Sequence, residues 1–196
     1  DTKGYPELCE SAVKQERLAL EYINKDLPNY PKIYKLAVQN NGYILESISP
    51  DTEGYPELCK LAVQTNGGVL IHISPDVEGY PELCKIAVQS NPWIIQNISL
   101  DTEGYPELCK LAVQKDNDVF EYILPNNFKQ DPQSYLEICT IAVQNDGSLM
   151  NKISSNDFMN KEDYLKLSQL AIQQNGWAIR YINPDGLTNT KDYLKL

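Results

Sequence analysis

With 196 residues, 42% of them apolar, the chain is long enough for one or two globular domains. Its formal charge of −10 opposes phosphate backbones and anionic membrane surfaces, both of which select clustered Lys and Arg. No apolar run reaches the roughly 18 residues of a membrane span, and no basic-then-apolar leader marks a signal peptide.

Self-comparison replaces the domain-count prior with a repeat. Gly-Tyr-Pro-Glu-Leu-Cys recurs at Tyr5, Tyr55, Tyr80 and Tyr105, with a degenerate copy at Tyr30, giving a 25-residue period. Looser copies follow at Tyr135, Tyr164 and Tyr193 after steps of 30, 29 and 29 residues. The expected organisation is a single array over residues 1–196, with seven full repeats and the start of an eighth at Tyr193. Because it opens inside a repeat at Asp1 and stops at Leu196, the chain reads as a segment of a longer protein.

Each repeat is numbered from its Tyr as position zero. Leu or Ile at three, Cys at four, Ala at seven and Val or Ile at eight share one helical face. They predict an amphipathic helix of roughly ten residues, helix A. Pro6, Pro31, Pro56, Pro81 and Pro106 suit its first position, where a missing N–H costs nothing. The invariant Ala row (Ala12, Ala37, Ala62, Ala87, Ala112, Ala142, Ala171) predicts a close helix crossing. A narrow polar stripe carries Glu57 with Lys60 and Glu82 with Lys85, spaced for i, i+3 pairing.

Helix A is expected to end at Asn41-Gly42, Asn66-Gly67, Asp146-Gly147 and Asn175-Gly176. There Gly would serve as the left-handed C-terminal cap, and Asn or Asp as the N-cap of the next element. A second helix of about eight residues, helix B, follows with apolar residues at fourteen, fifteen and eighteen, the last always Ile. Ser49-Pro50, Ser74-Pro75 and Asn183-Pro184 stop it. The extra residues of the later repeats fall in the B-to-A connection, where Asp131-Pro132 and Asn160 can start helix A a turn earlier. One such hairpin cannot bury its apolar face alone, whereas stacked copies form a continuous core. The fold class expected is all-α, an α-solenoid of two-helix hairpins.

Gln173-Gln174-Asn175-Gly176-Trp177-Ala178-Ile179-Arg180-Tyr181-Ile182, Ala37-Val38-Gln39-Asn40-Asn41-Gly42 and Ala142-Val143-Gln144-Asn145-Asp146-Gly147 resemble the tandem repeat called domain of unknown function 4116. The resemblance spans essentially the whole chain. The Gly-Tyr-Pro-Glu-Leu-Cys entry departs from the family's usual start, and Asp163-Tyr164-Leu165 and Asp192-Tyr193-Leu194 lie closer to it. It implies a helical repeat from a large DNA virus, an intracellular bacterium or a protist, and no activity or catalytic residues. A viral source would place the chain in the host cytoplasm or the virion.

The five Cys all occupy position four, without the two-to-four-residue ligand spacing of a metal knuckle. Stacked helices lie about 8–10 Å apart, too far for the roughly 4.4–6.8 Å of a disulfide. Buried, reduced thiols in an intracellular compartment are expected. His72 is the only His, which excludes the usual His-dependent triads and metal sites within this segment. The acids recur in solvated stripes and linkers, and no Gly loop cradles a phosphate. No catalytic residue, cofactor or metal is expected, and the chain reads as a non-enzyme.

What varies is a stripe on helix B at positions thirteen, sixteen and seventeen. It contains Tyr43, Glu46, Ile71, His72, Trp93, Gln96, Asn97, Glu121, Tyr122, Trp177, Arg180 and Tyr181. A constant scaffold with one changing stripe is how repeat proteins build recognition surfaces, and unconstrained drift of a solvated face is the competing account. The expected function is a protein–protein interaction or scaffold module whose partner is another protein. The alternatives are a structural protein stacking end to end in a virion or filament, and an RNA-reading helical repeat, which the charge disfavours.

Overall fold

The computed structural model describes residues 4–187, and the repeat opening at Tyr193 lies outside them. The fold is all-α, with no strand among the described residues. Helix A of each repeat is an α-helix: α1 (Tyr5–Gln15), α2 (Tyr30–Asn40), α3 (Tyr55–Thr65), α4 (Tyr80–Ser90), α5 (Tyr105–Lys115), α6 (Pro132–Asn145) and α7 (Lys161–Gln174). The expected Pro falls in the first turn of α1 to α6.

Helix B differs from expectation. In every repeat it is a six-residue 3-10 helix: Arg17–Tyr22, Gly42–Ser47, Gly67–His72, Pro92–Asn97, Asn117–Tyr122, Gly147–Lys152 and Gly176–Tyr181. At three residues per turn, positions fifteen and eighteen fall in line, so the buried row runs straight down one edge. The Ile at eighteen is buried in every repeat. It follows the last helical residue in extended backbone, as at Ile48 and Ile73.

The chain forms two compact bodies, Asp1–Asn97 and Ile98–Leu196. In the first, α1 to α4 pack side by side in chain order, and each B helix up to Gly67–His72 also packs on helix A of the next repeat. In the second, α5, α6 and α7 pack consecutively in the same way. Each body is a stack of hairpins sharing one core.

That core is the face read from the sequence. Ala37, Ala62, Ala87, Ala112, Ala142 and Ala171 are 0% exposed, and only Ala12 is partly accessible. All five cysteines are buried and free. Burial pushes the Cys59 and Cys84 thiols up to about 11 and Cys109 to about 12, so these thiols are held protonated and inert. Each fully buried Leu, Ile or Val contributes roughly 1.5–3 kcal/mol.

The glycines after Asn are not left-handed caps. The glycines with positive φ are Gly4, Gly54, Gly79 and Gly104, the residues immediately before Tyr-Pro. At Gly54 (φ 76°) and Gly79 (φ 77°) the chain turns from the connection into helix A. Gly67 is small for a different reason: a Cβ there would lie 2.7 Å from the Ala87 carbonyl oxygen of the next repeat. The Asn half of the expectation holds. Asn41, Asn66 and Asn91 each accept a hydrogen bond from the backbone N–H two residues on, capping the 3-10 helix.

The extra residues of the later repeats behave as read. The Asp131 side chain accepts from Ser134 N–H and that of Asn160 from Asp163 N–H. These caps start α6 and α7 earlier and lengthen them to 14 residues, against 11 for α5.

Candidate functional site

The B helices line one edge of each stack, with Gly42–Ser47, Gly67–His72 and Pro92–Asn97 adjacent in the first body. Tyr43, Glu46, Ile71, His72, Trp93, Gln96 and Asn97 are all exposed there. In the second body Glu121, Tyr122, Trp177 and Arg180 are exposed, whereas Tyr181 is half-buried with the Arg180 guanidinium 5.4 Å from its ring centre. The exposure follows from the register, since positions fourteen, fifteen and eighteen take the core side of the 3-10 helix, except in the last described repeat, where Ile179 at fifteen is 38% exposed.

The stripe is cross-linked between repeats. His72 Nε2 lies 3.1 Å from Glu46 Oε1, and its ring meets Tyr43 edge-on at 5.9 Å between centres. Tyr43 lies across the next repeat, its hydroxyl 3.0 Å from where a Gly68 Cβ would be. Gly68 therefore leaves the space that Tyr43 occupies, and positions thirteen of two repeats form one patch. In the second body Lys152 reaches Glu121 at 3.6 Å. Such exposed pairs are worth about 0–1 kcal/mol each and serve mainly to hold side chains in place.

Exposed large apolar side chains separate the two edges. Among the described residues, helix A exposes them only in α1, at Tyr5 and Leu8. The B helices expose Tyr22, Tyr43, Ile71, Trp93, Tyr122, Trp177 and Ile179. Tyr22, 83% exposed, and the exposed Glu21 beside it hold positions seventeen and sixteen of the same stripe in the first repeat.

Helix A pairs its charges along and between repeats. Lys32 meets Glu10 at 2.8 Å, and Lys110 meets Glu107 at 3.1 Å and Glu137 at 2.9 Å. The expected pairs Glu57–Lys60 and Glu82–Lys85 are not formed, and all four side chains are exposed. Charge is also segregated. Within the described part of the first body, helix A carries five lysines against four glutamates. The B helices and connections carry eight acids, all exposed, against Arg17 and Lys25.

Among the described residues no group of three His, Cys, Asp or Glu is placed to hold a metal ion. No described helix is long and apolar enough to cross a membrane. Residues 5–52, the first repeat and most of the second, match the family described as domain of unknown function (DUF4116). No curated protein and no solved structure matches the chain.

Proposed function

We propose that the chain is a non-catalytic protein-interaction module whose working surface is the B-helix stripe. The observation that carries this reading is the placement of exposed aromatic and apolar side chains. Beyond α1 they sit on the B helices and connections and not on helix A, among the described residues. Exposed Trp and Tyr are the usual anchors of protein interfaces. Helix A is nearly invariant in the three repeats from Tyr55, Tyr80 and Tyr105, and a surface that repeats itself offers little to discriminate partners. Charge argues for a protein partner over nucleic acid or an anionic membrane, and the reduced thiols suit an intracellular setting.

The test is capture of the full-length protein's partner by wild type and by Trp93→Ala and Tyr122→Ala. Each aromatic variant is expected to weaken capture by about 1–2 kcal/mol while leaving the helical circular dichroism unchanged. Normal capture by both, with loss in Glu82→Lys or Lys110→Glu, would move the surface to helix A.

A further inference from the structure

We infer that the B-helix edge of the first body takes an extended polypeptide segment bearing regularly spaced Lys or Arg, its cationic heads seated against Tyr22, Tyr43 and Trp93 and flanked by Glu21 and Glu46. This rests on the reading of that edge as a protein-docking surface, and adds the chemistry of the partner. Three observations carry it.

The first is charge complementarity. Among the described residues of the first body, seven acids lie on the B helices and on the connections that leave them, and all seven are exposed. The cations are drawn to helix A, where Lys32 is already paired to Glu10 at 2.8 Å. A partner approaching the B edge therefore meets net negative charge close to the contact. Attraction there acts within the Debye length of about 8 Å at physiological salt.

The second is the kind of apolar surface. Tyr22, Tyr43 and Trp93 are 83%, 37% and 37% exposed and present aromatic rings, beside the exposed aliphatic Ile71. Aromatic faces attract cations as well as apolar groups, most strongly for Trp and for Arg.

The third is spacing. Successive stacked helices lie about 8–10 Å apart, and an extended chain rises about 3.3 Å per residue. One repeat thus corresponds to about three residues of an extended partner. The connection acids recur on the same step, with Asp51 and Glu53 in one repeat and Asp76 and Glu78 in the next.

The experiment is fluorescence anisotropy of the whole chain with three labelled peptides of about five triplets each: Gly-Ser-Arg, Gly-Ser-Glu and Gly-Ser-Leu. The Arg peptide is expected to bind, with affinity falling as salt is raised, and the other two are not. Tyr43→Ala and Trp93→Ala, neither of which alters charge, should weaken it about tenfold each. Trp93→Leu, which keeps apolar bulk without the π face, should lose nearly as much. Glu21→Gln and Glu46→Gln should cost severalfold, and Glu57→Gln and Glu82→Gln on helix A less than twofold. If the Leu peptide binds as tightly with the same dependence on Tyr43 and Trp93, the cationic partner is wrong and the docking edge stands. If the Arg peptide binds but follows Glu57 and Glu82 and ignores the aromatics, both the inference and the docking edge fail. Absence of Arg-peptide binding at low salt and millimolar concentration overturns the inference.

Discussion

The two bodies differ in how their later helices A are started after a B helix. In Asp1–Asn97 the connections into α3 and α4 are short and end in a left-handed Gly, and neither helix has a side-chain cap bond. In Ile98–Leu196 the connections into α6 and α7 are longer, and Asp131 and Asn160 cap the helices. They also contribute Phe128 and Phe158, which insert between the position-zero tyrosines. Ring centres step from Tyr105 to Phe128 at 6.2 Å, to Tyr135 at 5.7 Å, to Phe158 at 6.1 Å and to Tyr164 at 6.4 Å. The short junctions into α3, α4 and α5 rely on a backbone conformation at Gly54, Gly79 and Gly104, and the longer ones into α6 and α7 on side chains packed into them. A repeat can therefore lengthen without losing its stack, provided that the inserted residues bring their own core.

The largest expected effect tests that last clause. Phe128 is 3% exposed between two tyrosine rings, and Phe128→Ala should cost about 3–5 kcal/mol in chemical denaturation. A loss below about 1 kcal/mol would mean that the ladder is incidental and the inserts are mere linkers. Next comes a feature the bodies share. Ala62 is 0% exposed, with its carbonyl 2.6 Å from where a Gly42 Cβ would be. Ala62→Leu should overpack the crossing and cost roughly 1–3 kcal/mol, read as a lower urea midpoint. An unchanged midpoint would misplace helix A against its neighbour.

Gly79→Ala should cost about 1–2 kcal/mol, because φ of 77° puts a Cβ in the left-handed region. Nothing lies within 4 Å of that Cβ, so the cost is conformational and not steric. Gly79→Asn, which tolerates that region better, should recover part of it. Equal behaviour of the Ala and Asn variants would remove the backbone account of the short junction.

Helix A was legible almost residue for residue. Its apolar face recurs with a period that only a helix satisfies, and Tyr-Pro and Asn-Gly punctuate both ends. Helix B was legible as a buried and an exposed side, but not as a 3-10 helix, because residues three apart share a face in either helix type. Asn-Gly misled because the pair suits two geometries. Here Asn41 and Asn66 cap the 3-10 helix, while Gly42 and Gly67 are selected by close approach to the next repeat's carbonyl. The left-handed position was marked by Gly54, Gly79 and Gly104, fixed one residue before Tyr-Pro. The aromatic ladder went unread, although Phe128 and Phe158 are two of only three Phe in the chain and both fall in the inserts. Of the candidate surface, the residue positions were legible, whereas the bridging of Tyr43 and His72 between repeats needed the stacking geometry.

The smallest effect separates the two caps of the second body from each other. Asp131 accepts both the backbone N–H and the hydroxyl of Ser134, at 3.2 and 2.5 Å. These bonds favour the carboxylate and hold its pKa below the usual Asp range. A carboxyl depressed on folding contributes stability that is present above its unfolded pKa of about 3.9 and is lost as pH falls through the folded value. Asn160 makes the same kind of cap with a side chain that does not itself titrate, although its amide also donates to the Asp163 carboxylate at 2.7 Å, and its removal should cost about 1 kcal/mol. The difference in melting temperature between wild type and Asp131→Ala should therefore narrow as pH is lowered from about 5 to about 2. The difference between wild type and Asn160→Ala should narrow less over the same range, because its cap bond from the Asp163 N–H is made by a neutral side chain. If both differences hold constant, the Asp131 cap draws nothing from its charge, and the longer junctions work through packing and backbone geometry alone.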